Sequence, residues 1–167
     1  MRRSAAHTGE LVRMHRLTDV EAVQRALDLA RTVSTPDDDV PVGAVVLDAS
    51  GTVIGQAVNE REASGDPTAH AEVLAIRRAA STLDTWRLDG CTIAVTMEPC
   101  PMCAGAIGLA RIDRVVFGAW NDTYGAAGSA WDLLRDRRLA HRPEVVGGVL
   151  EAECGDLVRE FFARHRE

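Results

Sequence analysis

The sequence predicts an α/β protein, a three-layer α-β-α arrangement with a mixed five-stranded sheet between its helices. Three observations carry that expectation. Short apolar runs of strand length alternate with longer segments whose apolar residues recur every three or four positions. One run, helical segment and second run, residues 91–119, have the order that a parallel crossover connection requires. At 167 residues, with 46% hydrophobic and 26% charged content, the chain suits one domain with a sizeable core.

Each element has a local reason. Thr18-Asp19-Val20-Glu21 has the capping-box pattern, and Val23, Leu27, Ala30 and Val33 follow at helical spacing until Pro36 stops the first helix. After the acidic loop at 37–39, runs 42–47 and 53–58 flank Asp48-Ala49-Ser50-Gly51, the pattern of an antiparallel hairpin. A second helix is expected over 67–80, with Asp66 as N-cap and Pro67 in its first position. Residues 91–97 read as a buried strand, 99–110 as a helix and 114–119 as a strand parallel to the first. Then come a flexible loop at 125–128, a short helix at 130–138, a fifth strand at 145–150 and a last helix at 156–164. Residues 1–17 read as a disordered tail and 18–167 as the one domain, without repeats or low-complexity runs.

Composition excludes several classes of function. The opening MRRSAAHTGE is basic and small, and charge interrupts LVRMHRLTDV after it, so no signal peptide or membrane span is expected and the location expected is cytoplasmic. Four cysteines, Cys91, Cys100, Cys103 and Cys154, are too few and too unevenly spaced for a secreted disulfide scaffold. All nineteen strongly basic residues are Arg, which removes Schiff-base lysine chemistry and a P-loop lysine. A net charge of -6 disfavours indiscriminate nucleic-acid binding, while a local basic patch still permits binding to RNA.

Two short stretches carry chemistry. In Pro67-Thr68-Ala69-His70-Ala71-Glu72, His70 and Glu72 stand two residues apart, so they share a pocket only where it caps the first turn of a helix. Glu98-Pro99-Cys100-Pro101-Met102-Cys103 repeats that logic, an acidic residue and a proline followed by candidate ligands at i and i+3. A helix start favours the thiolates that metal binding needs. One His and two Cys are the ligand count of a catalytic zinc site that keeps a fourth position open. The alternatives are a redox C-x-x-C pair, and half of a structural zinc site completed by Cys91 or Cys154. The joint H-x-E and P-C-x-x-C pattern is the zinc-deaminase signature.

Further segments extend the pattern: PVGAVV at 41–46, Asn59, RVVFGA at 114–119, GAAGS at 125–129 and Phe161-Phe162. From about residue 20 to residue 162 the chain resembles the cytidine-deaminase-like superfamily and, more closely, the bacterial tRNA adenosine deaminases. The metal motifs identify the superfamily; GAAGS and the Phe pair narrow it to the tRNA branch. The resemblance implies that His70, Cys100 and Cys103 hold Zn²⁺ and that Glu72 is the proton-transferring residue rather than a ligand. Hydroxide then attacks adenine C6, ammonia leaves and inosine remains. Asn59 and the backbone of Ala71 are the implied base contacts, and Asn121, Phe161, Phe162 and Arg142 are further candidates. The implied substrate is the wobble adenosine of a tRNA anticodon loop, whose unpaired bases can be splayed into a pocket. A homodimer is implied as well.

Candidate RNA-facing charges are Arg135, Arg137, Arg138, His141 and Arg142, with Arg159, Arg164 and Arg166 near the end; a solvated helix face is their other reading. Two stretches depart from the branch: Trp120-Asn121 stands where relatives carry a charged pair, and Glu60-Arg61 where they carry Arg-Pro. The chain also stops soon after the Phe pair, without a longer basic tail. The alternatives to the tRNA activity are deamination of a free base or nucleoside, such as guanine or cytosine, and a non-catalytic zinc-stabilised RNA-binding module.

Overall fold

The computed structural model describes residues 17–33 and 39–165. The expected tail at 1–17, apart from Leu17, lies outside the described residues, as do Pro36, the first two aspartates of the acidic loop and Arg166. The elements are α1 (Asp19–Ala30), β1 (Gly43–Leu47), β2 (Val53–Val58), α2 (Arg61–Ser64), α3 (Ala71–Leu83), β3 (Thr92–Met97), α4 (Pro101–Leu109), β4 (Arg114–Ala119), β5 (Glu144–Val146) and α5 (Glu151–Arg164).

Five strands form one mixed sheet in the order β2-β1-β3-β4-β5. β1 runs antiparallel to β2 and to β3, whereas β3, β4 and β5 are parallel. The expected hairpin and the expected parallel crossover are both present. The central strands are continuously apolar because alternate residues serve two cores. Val45, Ala94 and Val116 pack with α1 and Cys154 of α5 on one face, and Ala44, Val46, Ile93, Val95 and Phe117 pack with α3 and α4 on the other. The three layers are therefore helices, sheet, helices.

Several boundaries differ from those expected, and each has a cause. The Thr18 capping box forms as read, yet α1 ends at Ala30, before Val33. α3 starts at Ala71 rather than at residue 67, because the Asp66 carboxylate accepts from the backbone N–H and the hydroxyl of Thr68 at 2.8 and 2.7 Å. Asp66 thus closes a turn instead of capping a helix. α4 starts at Pro101 rather than residue 99, since each proline pushes the residue before it to extended backbone and leaves Cys100 as N-cap with φ -71° and ψ 171°. The extra helix α2 is held from a distance: buried Asp39 accepts from the N–H groups of Glu62 and Ala63 at 2.7 and 3.0 Å.

The expected helix at 130–138 is absent. The N–H groups of Trp131 and Leu133 donate to Gly125 and Ala126 carbonyls, so the segment folds back on the preceding loop instead of bonding to itself. The fifth strand is only three residues long, because after Val146 the chain turns at Gly148, which has φ +81°. α5 begins at Glu151, earlier than expected, with Gly155 tolerated inside it.

α3 lies on β2 at a closeness only glycine permits. A Cβ at Gly55 would stand 2.4 Å from the Ala75 carbonyl oxygen and 2.6 Å from the Ala79 nitrogen. Gly55→Ala is therefore expected to cost about 1–3 kcal/mol of stability. For a chain of this size that corresponds to a fall of about 2–4 °C in Tm per kcal/mol, measured by calorimetry.

Candidate active site

The N-terminal ends of α3 and α4 meet near the carboxyl end of β3. His70 is the N-cap of α3 and Cys100 the N-cap of α4, while Cys103 lies one turn into α4 and is buried. His70 Nδ1 stands 3.7 Å from Cys100 Sγ and 3.5 Å from Cys103 Sγ. All three ligand atoms lie within 4.8 Å of one another. An imidazole nitrogen and a thiolate sulfur at adjacent corners of a zinc tetrahedron, at the usual bond lengths, lie about 3.6 Å apart. The donors thus fit zinc in chemistry and in spacing.

Electrostatics agree with that fit. The Cys103 thiol and the His70 ring, both hydrogen-bonded to Cys100, hold its thiol down at about 4, which makes it a thiolate. Contact with Cys100, together with burial, pushes the Cys103 thiol up. The pair thus shares one proton, which a divalent cation replaces on binding. Cys91 and Cys154 do not complete a closed site. Cys91 precedes β3, at the opposite end from the cluster, and Cys154 packs against Gly118 from α5. Three donors would leave a fourth position free, and the grouping of the pair with His70 suits a metal site rather than a redox couple.

Glu72, in the first turn of α3, is 4% exposed. Burial pushes its carboxyl up to about 7, with the negative Cys100 adding to the rise. A carboxyl of that character beside an open metal position is suited to accept and return a proton near neutral pH.

These residues border a pocket of about 470 Å³, within the ordinary size for a small-molecule site. Of the residues expected at the site, His70, Glu72, Cys100, Asn59, Ala71 and Asn121 line it. Asn59 donates its amide Nδ2 to the Val40 carbonyl at 3.3 Å and leaves Oδ1 buried without a partner. An orphaned acceptor in a pocket wall points to a donor on the bound molecule. Ala71 opens α3 behind an N-cap whose side chain makes no capping bond, so backbone donors of that turn remain available to a ligand. The Asn121 Oδ1 is already engaged, accepting from the N–H groups of Thr123 and Tyr124.

The remaining candidates lie elsewhere. Arg142 precedes β5, beside the Arg114 end of β4, about 17 Å of strand away from the end that carries the pocket. Phe161 is buried on α5 against Phe162 and His165, so its ring is not available for stacking, whereas Phe162 is 45% exposed. Arg135, Arg138 and Arg159 each pair with a nearby aspartate. Sequence reasoning did not assign Arg61, Tyr124 and the buried Glu98, all of which line the pocket. The available signal for Glu98 was a charged residue ending an apolar strand.

Comparison with known proteins agrees with this geometry. Residues 17–119 match the family model of the cytidine and deoxycytidylate deaminase zinc-binding region. The tRNA-specific adenosine deaminase of Bacillus subtilis (strain 168) is 48% identical over 129 residues, covering 77% of this chain and 80% of that one. A solved structure from work on A-to-I editing by tRNA:A34 deaminases at the wobble position of transfer RNA is 38% identical, with a TM-score of 0.76 over 81% of this chain and 97% of that one. The guanine deaminase from Nitrosomonas europaea is 27% identical, with a TM-score of 0.76 over 89% of this chain and 87% of that one.

The purified protein is expected to carry one zinc per chain by elemental analysis. Cys103→Ala should lower that content to background and lower the thermal midpoint as well, because zinc bound only to the folded state stabilises it.

Proposed function

The chain belongs to the cytidine and deoxycytidylate deaminase zinc-binding family, and within it we propose that it converts adenosine to inosine at the wobble position of a tRNA anticodon loop. The carrying observation is the pocket: a His-Cys-Cys donor set, a buried Glu72 beside it, and Asn59 in the lining with a buried Oδ1 that has no partner. Identity to the tRNA enzymes exceeds identity to the guanine deaminase although the TM-scores are equal, which favours the tRNA substrate over a free base.

The reaction consumes one water and releases ammonia. His70, Cys100 and Cys103 would hold Zn²⁺, which when bound acidifies water and so supplies hydroxide near neutral pH. Glu72 takes the proton that water gives up. It passes that proton to the ring nitrogen, then takes the proton of the hydroxyl added at C6 and gives it to the departing amine as the C6–N bond breaks, so one carboxylate performs successive transfers. Its burial keeps bulk water away from those steps. Asn59 Oδ1 accepts a hydrogen bond from the bound nucleoside and orients it. Arg61, half-exposed at the pocket and bonded to Glu62, offers positive charge to a backbone phosphate, and exposed Phe162 offers a ring to a flanking base. A non-catalytic zinc module has no use for a buried carboxylate beside an open ligand position.

The same reading places the protein in the cytoplasm with tRNA. Among the described residues no helix is long and apolar enough to cross a membrane. It also places a second copy of the chain against α4. That helix is apolar on every side, yet its outer face is uncovered: Leu109 is 77% exposed, and Gly105 and Gly108 have open space around them.

Zinc-loaded protein is expected to form inosine in an anticodon stem-loop bearing adenosine at the wobble position and to leave free adenosine, guanine and cytosine unchanged. Turnover of a free base with an untouched stem-loop would replace the tRNA assignment. Glu72→Ala should keep its zinc and lose about 10²–10⁴-fold in kcat; an active variant would remove Glu72 from the proton transfers. Leu109→Glu should shift the protein toward monomer in light scattering.

A further inference from the structure

Glu98 ends the passage from β3 into the Pro99-Cys100-Pro101 turn, and it is 2% exposed. Its carboxylate is met by three backbone donors. Oε2 accepts from the Asn121 N–H at 3.0 Å, and Oε1 from the N–H groups of Ala127 and Ser129, both at 3.0 Å. All three belong to one irregular loop, residues 121–129, in which the Ser129 hydroxyl and the Gly125 N–H also donate to the Asn121 carbonyl at 2.8 and 2.7 Å. The Ala126 N–H donates to the Pro99 carbonyl, a second tie to the same turn. The loop is wound around the carboxylate so closely that a Cβ at Gly125 would lie 2.1 Å from Glu98 Oε2. That contact gives a physical reason for the glycine that opens GAAGS. The same loop presents Asn121 and Tyr124 to the pocket.

We propose that Glu98 is a positioning residue for the deaminase: its buried carboxylate fastens the loop at 121–129 to the end of β3 and so sets the pocket wall formed by Asn121 and Tyr124. The inference rests on the reading of this pocket as the base site. Glu98 itself borders the pocket, but both of its carboxylate oxygens are taken up by N–H groups of the loop, and it acts through the loop. Both of its oxygens are used as acceptors, so an amide of the same shape cannot replace it. Whichever way a glutamine side chain turns, its NH₂ group faces backbone donors, either that of Asn121 or the pair from Ala127 and Ser129.

The experiment compares zinc-loaded wild type, Glu98→Gln, Tyr124→Ala and the double variant in zinc content, amide hydrogen exchange and steady-state kinetics on the anticodon stem-loop. Glu98→Gln should keep its zinc, lose at least about tenfold of the exchange protection at 121–129 while α1 and β1 stay protected, and lose about ten- to a hundredfold in kcat/KM, mostly through KM. On the Tyr124→Ala background the same change should cost less than on wild type, because both act through one wall. Unchanged protection in the loop, a loss confined to kcat, or full additivity with Tyr124→Ala would each overturn the proposal. If Glu98→Gln does not fold, Gly125→Ala forces the loop off from the other side with the carboxylate intact. It must then reproduce the KM rise and loop exposure with zinc retained, and a silent Gly125→Ala would overturn the proposal. If the wild type acts on a free base and not on the stem-loop, the substrate reading fails, while exchange, zinc content and kinetics on that base still decide the role of Glu98.

Discussion

His70 Nδ1 stands 3.7 and 3.5 Å from two sulfurs that are 30 and 33 residues away in the chain, and the rest of the structure is arranged around that approach. The approach requires the starts of α3 and α4 to meet near the carboxyl end of the central strand β3. Gly55 supplies part of it by letting α3 lie against β2 at backbone contact. The proline on either side of Cys100 supplies another part, because extended backbone before Pro101 makes Cys100 the cap rather than a turn of the helix. Ligands at helix starts then gain the positive end of each helix, which favours thiolate and, after it, metal.

Two buried carboxylates lie near this point, and their surroundings give them different work. Glu98 is saturated by three backbone N–H groups and is thereby committed to holding a loop. Glu72 is buried beside a thiolate and is held up at about 7, which leaves it able to exchange a proton. Identical side chains thus differ in their surroundings: three loop N–H groups engage Glu98, while Glu72 lies buried beside a thiolate.

The acidic balance of the chain fits the way its arginines are used. Arg114 binds Asp19 and Glu144, Arg78 binds Glu60, and Arg135, Arg138 and Arg159 bind neighbouring aspartates, so much of the positive charge is answered locally. Glu60 in this list is one of the residues that depart from the tRNA branch, and its role here is to pair with α3 rather than to meet a ligand. Its neighbour Arg61 is the one that lines the pocket.

By itself the sequence determined the α/β class, the Thr18 capping box, the hairpin, the parallel unit around β3 and β4, and the donor set His70, Cys100 and Cys103 that the fold brings together. Those features rest on short-range spacing: cap to N3, strand to turn, i to i+3 along a helix. Tertiary structure decided what depends on groups distant in sequence. Asp39 caps α2 from more than twenty residues away, Glu98 winds the loop at 121–129, and the carbonyls of Gly125 and Ala126 take the donors that a helix at 130–138 would have used for itself. Phe161 and Arg142 belong to the same lesson, since one residue's burial and the other's place at the far end of β4 follow from packing and strand register. Local patterns specify which chemistry is present, and only the folded chain specifies which polar groups have partners to spare for a ligand.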